Sequence, residues 1–140
     1  LIGTGNFLSA PISVGAPTPD DARRVHNLLI EGFGIHIRNV IHFLYSDRLQ
    51  ETDVAASDFS TPDVWGKVRP SISPALSTAK TRSNKELAHL TTARIAGAPP
   101  EKNWKALKLL KELAPTLKLW LKIARPDAVS TRVKELIDSL

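Results

Sequence analysis

Apolar residues recur at helical spacing along most of this chain, and no stretch sustains strand-like alternation of apolar and polar positions. Ala22, Val25, Leu29, Phe33, Ile37, Val40 and Leu44 fall three and four apart, with His36 among them. That spacing predicts an amphipathic helix ending near Tyr45 with these residues as its buried stripe. Its start is marked by Thr18-Pro19-Asp20-Asp21: a capping hydroxyl, a proline at the first position and acids in the first turn. Gly32 and Gly34 interrupt the stripe and mark a bend or a close helix contact.

A second helix is predicted from Ser73-Pro74 to about Ala96, stopped by Gly97 and Pro99-Pro100, with Leu76, Ala79, Leu87 and Leu90 as its core stripe. Between the two, residues 46–73 are irregular and polar. Phe59, Trp65 and Val68 are expected to fold this segment back, with a short helix near Pro62–Val68. A third helix, Glu101 to Ala114, would bury Ala106, Leu107, Leu109, Leu110 and Leu113. Pro115 would then start or kink another piece reaching Ala124. After Pro126-Asp127, Val129, Val133, Leu136, Ile137 and Leu140 stripe a last helix. The fold expected is all-α, a bundle of four or five helices with one long irregular segment between the first two main helices. Residues 1–17, rich in Gly, Ser, Pro and Thr, read as an extended or disordered arm, and 18–140 as a single helical domain.

Composition narrows the chemistry. The 140 residues suffice for one domain with a real core, and 42% apolar with 24% charged residues is ordinary for a globular protein. With no cysteine, disulfides, thiolate catalysis and cysteine-held zinc are excluded; a cytoplasmic location is compatible and expected. No apolar run approaches the roughly 20 residues that span a bilayer, so no membrane role is expected. The chain has no methionine and opens on Leu1, so its true beginning is expected to lie upstream. Residues 101–140 carry nine basic and five acidic side chains and contribute +4 of the net +5. A basic C-terminal third suits a polyanionic partner, although a solvated lysine-rich helical face gives the same count.

The segment Arg82-Ser83-Asn84-Lys85-Glu86-Leu87-Ala88-His89 holds the leading chemical candidate. Arg82 and His89 lie two helical turns apart and so on one side, on an arc shared with Glu86 and framed by Ala75, Ala79, Ala93 and Ala96. A guanidinium beside an imidazole can clamp a phosphate and move a proton near neutral pH. The structural alternative is an Arg82–Glu86 pair at i,i+4 with an incidental histidine. An arginine, a spacer of four to six residues and a histidine resembles the signature of the HEPN superfamily, here at its longest spacer. The resemblance implies a small, commonly dimeric helical bundle, many of whose members are metal-independent ribonucleases of toxin or defence systems. It would make Arg82 and His89 catalytic, with Asn84 as an orienting group. Ser83 stands where the family usually has a polar residue, often Asn, and non-catalytic HEPN-like members also exist.

Other constellations are weaker. Glu31, Arg38 and His42 are expected opposite the stripe of the first helix, either lining the same cleft or forming a solvated network. His26 and His36 lie on or beside the stripe and are expected to be packed and hydrogen-bonded. Trp104 with Lys105, Lys108 and Lys111 could stack on a base while meeting phosphates, or rest half-buried against a lysine stem. Asp47, Glu51, Asp53, Asp58 and Asp63 crowd the irregular segment without the order of a calcium loop. No metal or cofactor is expected. The expected partners are RNA, an antitoxin-like or other protein, and a second copy in a homodimer. The alternative function is a non-catalytic helical module whose basic C-terminal third binds nucleic acid or an acidic protein.

Overall fold

In a computed structural model, residues 18–46, 50–61, 63–88 and 103–140 are described. Five α-helices form among them: α1 (Pro19–Tyr45), α2 (Val64–Val68), α3 (Pro74–Arg82), α4 (Ala106–Ile123) and α5 (Thr131–Asp138). A 3₁₀ turn, Ala56–Phe59, precedes α2, and α3 passes directly into a π-helical segment, Ser83–Ala88. No strand occurs among the described residues, and the all-α expectation holds. None of the described helices is long and apolar enough to cross a membrane.

Local chemistry sets the helix starts. Thr18 and Asp21 form a reciprocal capping box, each side chain meeting the other residue's backbone N–H, with Pro19 at the first position. The Thr18 hydroxyl, which donates to Asp21 Oδ2 at 2.6 Å, and after it the Thr18 N–H stabilise the charged carboxylate and hold Asp21 below the usual aspartate range. Ser73 caps α3 by accepting from the Leu76 N–H at 3.2 Å, and its own hydroxyl donates to Glu112 of α4. Ser130 caps α5 in the same way through Val133.

The core lies where the C-terminal half of α1 meets α3 and α4. Ile37, Ile41 and Leu44 pack with Leu76 and Ala79 of α3 and with Leu109, Leu113 and Trp120 of α4. The irregular segment is pinned to this core by two buried indoles. Trp65 Nε1–H donates to the Leu44 carbonyl at 2.9 Å, and Trp120 Nε1–H to the Ala56 carbonyl at 3.1 Å. Each ring buries its apolar body while its one polar atom is satisfied. Phe43, Phe59 and Trp120 close the corner edge to face, with centroids 5.1–5.8 Å apart. Val68, expected inside with Phe59 and Trp65, is exposed.

Several expectations are corrected. α1 overhangs its packing partners: Ala22, Val25 and Leu29 are exposed, and only its C-terminal half contributes buried positions. The buried line is Gly34, Ile37, Ile41 and Leu44, rotated from the predicted stripe. Because of that rotation, Glu31 and Arg38 flank the packed face and are half-buried, while His26 and His36 are exposed. α4 does not break at Pro115 but runs through it. Pro115 and Lys111, whose carbonyl loses its N–H partner, both face solvent. Leu113, Ala114, Thr116 and Trp120 are buried around them, and this offsets an interior-proline cost of about 3 kcal/mol. Leu107, Val133, Leu136 and Leu140, assigned to buried stripes, are exposed. The predicted second helix changes to π geometry after Arg82, and residues 89–102 lie outside the described ones.

Candidate nucleic-acid interface

The site is built at the α3–π junction. Ser83 is fully buried, and its hydroxyl lies 2.9 Å from both the Ala79 and the Gly34 carbonyl oxygens, so its one proton is shared between them. Bonding back to the i−4 carbonyl while reaching across to α1 fixes the register at which α3 passes into the wider π turn. Gly34 permits the contact: a Cβ there would fall 2.1 Å from Leu87 Cδ1. Asn84, next along, accepts from Arg38 Nε of α1 through its Oδ1. Ser83 and Asn84 thus both tie the π segment to α1.

Arg82 projects from this junction. Its Nε and Nη2 donate to the two oxygens of Glu86 at 2.8 and 2.9 Å, a bidentate pair with each side chain about one-fifth exposed. Nη1 donates to the Asn103 carbonyl at 3.1 Å, and the guanidinium carbon sits 4.5 Å from the centroid of the Trp104 ring. These bonds use three of the five arginine N–H groups, leaving two without a partner among the described residues. Trp104 also meets Phe33 of α1 edge-on at 6.3 Å. It is positioned by a tight turn before α4: Lys105 has φ −80° and ψ 65°, and the Ala106 N–H reaches the Trp104 carbonyl at 2.9 Å. This inverse γ-turn reverses the chain in three residues.

Two clefts open on either side of the Arg82–Trp104 stack. One, of about 520 Å³, lies between α3 and α4, where Arg82, Lys105 and Lys108 gather with Thr78, Asn103 and Trp104. The other, of about 370 Å³, lies between α1 and the π segment and is lined by His26, Asn27, Ile30, Glu31, Glu86, Leu87, Asn103 and Trp104. Trp104 therefore divides a cationic cleft from one that carries two carboxylates.

The sequence-predicted residues separate accordingly. Arg82, Glu86 and Trp104 come together, Lys105 and Lys108 join Arg82, and Glu31 joins Glu86. Arg38 is engaged with Asn84 at the same junction. His42 lies near the other end of α1, 3.6 Å from Asp53, and lines neither cleft. Lys111 is exposed and lines neither cleft. His89 lies outside the described residues. No three His, Asp or Glu side chains gather as a metal site among the described residues. Asn103, Asn27 and His26 were not expected at the site; nothing in periodicity marks Asn103, which enters only because the turn before α4 brings it under Arg82. The chain matches no family model, no curated protein and no solved structure.

Proposed function

We propose that the chain is a helical module that binds single-stranded RNA in the cationic cleft between α3 and α4. The observation that carries this reading is the convergence of Arg82, Lys105 and Lys108 beside an indole that lines the same cleft. The lysines supply mobile ammonium groups for phosphates, and Arg82 adds two N–H groups on a rigidly held plane. Trp104 supplies an aromatic surface for a base. In this reading Glu86 holds Arg82 flat against Trp104 and serves positioning.

A second reading draws on the position of Arg82 in the wall of that cleft: metal-independent RNA cleavage of the HEPN kind, with His89 as acid/base and Arg82 as phosphate clamp. It carries with it a cytoplasmic homodimer of a toxin or defence system. One experiment tests both. A labelled single-stranded RNA is titrated with protein lacking added metal, and its length is checked afterwards. Binding with intact RNA, weakened by Lys105→Ala/Lys108→Ala, supports the first reading. Cleavage that disappears in His89→Ala supports the second. Neither binding nor cleavage would sink both.

A further inference from the structure

α1 carries a second apolar line that its own chain leaves bare. Asp21, Val25, Leu28, Gly32, Ile35 and Asn39 are spaced alternately four and three apart, as in the seam of a two-stranded coiled coil. At 100° per residue this seam falls opposite the buried line of Gly34, Ile37, Ile41 and Leu44, so it points away from the core. Leu28 is 67% exposed, Val25 54% and Ile35 41%, and Leu29 beside them is as bare as Leu28. Gly32, in the middle, leaves open space where a Cβ would stand, with nothing within 4 Å. None of these residues lines either cleft, so the seam belongs to neither reading of the cationic one.

We propose that this face is an interface with a second copy of the chain, in which the two α1 helices pair antiparallel about a two-fold axis midway between Leu28 and Gly32. In that register the seam is complementary to itself. Leu28 of each copy fills the space over Gly32 of the other, Val25 meets Ile35, and Asp21 meets the uncharged Asn39. The overhanging N-terminal half of each helix then runs along the C-terminal half of the other, a support its own chain does not supply. Parallel pairing fits worse, because Gly32 would face Gly32 across a void and Asp21 would face Asp21. Antiparallel pairing also opposes the helix dipoles. A contact between two single helices buries less than the roughly 1,600 Å² of a standard interface, so the dimer should dissociate at about tens of micromolar. At low micromolar concentration the chain is a single copy with Gly32 open to solvent.

The test is sedimentation velocity of the whole chain from about 2 to about 500 µM, where mass action moves a weak dimer through its midpoint. Wild type should pass from monomer to dimer over that range. Leu28→Arg and Gly32→Leu should each stay monomeric throughout, at least tenfold weaker in association. Both positions are open to solvent in the single copy, so circular dichroism at low concentration should show both variants folded as wild type. Leu136→Arg, on the exposed face of α5, should dimerise as wild type does. The register is read from single-cysteine chains, since the sequence holds no cysteine of its own. Val25→Cys mixed with Ile35→Cys should form a disulfide-linked dimer under mild oxidation, and Val25→Cys alone should not. A wild type that stays monomeric, as it would if another segment of the chain covered this face, overturns the proposal. So does a dimer indifferent to Leu28→Arg and Gly32→Leu, or one in which Val25→Cys links to itself.

Discussion

The same substitution placed two residues apart on α1 should change stability in opposite directions. At Gly32 a Cβ meets nothing within 4 Å, so Gly32→Ala brings only the helix-propensity gain, about 1 kcal/mol at most. At Gly34 the same Cβ lands 2.1 Å from Leu87 Cδ1 and 3.6 Å from both Leu87 Cγ and Trp104 Cζ2. Only the Leu87 methyl truly collides, so the side chain must leave its rotamer inside a packed junction, at a cost of about 1–3 kcal/mol. Setting that against the same propensity gain leaves Gly34→Ala between neutral and about 2 kcal/mol destabilising. The two variants should therefore differ by about 1–3 kcal/mol. With a urea slope of roughly 1–3 kcal/mol per molar for small domains, their unfolding midpoints should separate by about 1 M, with wild type between. Circular dichroism at 222 nm across a urea series reads this directly. If Gly34→Ala unfolds at the same midpoint as Gly32→Ala, the close approach of α1 to the π segment is wrong, and with it the frame that holds Arg82.

Further outcomes follow from the same contacts. Glu86→Gln removes the anionic partner from Arg82 while keeping its shape. RNA affinity in filter binding should fall severalfold, because Arg82 is then no longer held flat against Trp104, whereas unchanged or tighter binding would mean that Glu86 does not position it. The Thr18–Asp21 box holds the Asp21 carboxyl below its ordinary value of about 3.8. A lowered native value means that this stabilisation is fully present above that pH and is lost as pH falls through the depressed one. Thr18→Ala should therefore weaken the protein at pH 7 and by less at low pH, where only the loss of the hydroxyl that accepts from the Asp21 N–H remains, as thermal melts at several pH values would register. Trp65→Phe leaves the Leu44 carbonyl, among the described residues, with the longer 3.4 Å bond from Arg69 Nη1, and should cost about 1–3 kcal/mol in a denaturant titration. An unchanged midpoint would show that the indole N–H does not hold the irregular segment.

What could be read from sequence was mostly local. The starts of α1 and α3 were legible because capping depends on three or four consecutive residues, and Thr18-Pro19-Asp20-Asp21 and Ser73-Pro74 leave little choice. The Arg82–Glu86 pair was legible for the same reason. Burial was less legible, because periodicity says which residues share a face but not whether another element reaches it. Val25 and Leu29 continue a perfectly spaced stripe into solvent, while Gly34 and Ser83, unremarkable in hydropathy, are buried at a close approach of α1 to the π segment. At Pro115 local propensity predicts a new start or a kink, and the burial of Leu113 and Trp120 carries α4 through it as one helix. The relation of Trp104 to Arg82 depends on a three-residue turn and on contacts across 21 and 22 positions, which no spacing rule encodes.

The central claim is that phosphates are held by Arg82, Lys105 and Lys108, and its most direct test is the salt dependence of RNA binding. Three phosphate contacts on a single strand give a slope of log affinity against log salt of about −2, from roughly −0.7 per contact. Measured with a uridine decamer over a range of salt concentrations, wild type should show that slope. Lys105→Ala/Lys108→Ala should retain about −0.7. Equal slopes for the two proteins would contradict the account, because the phosphates would then be held somewhere other than the cleft beside Trp104.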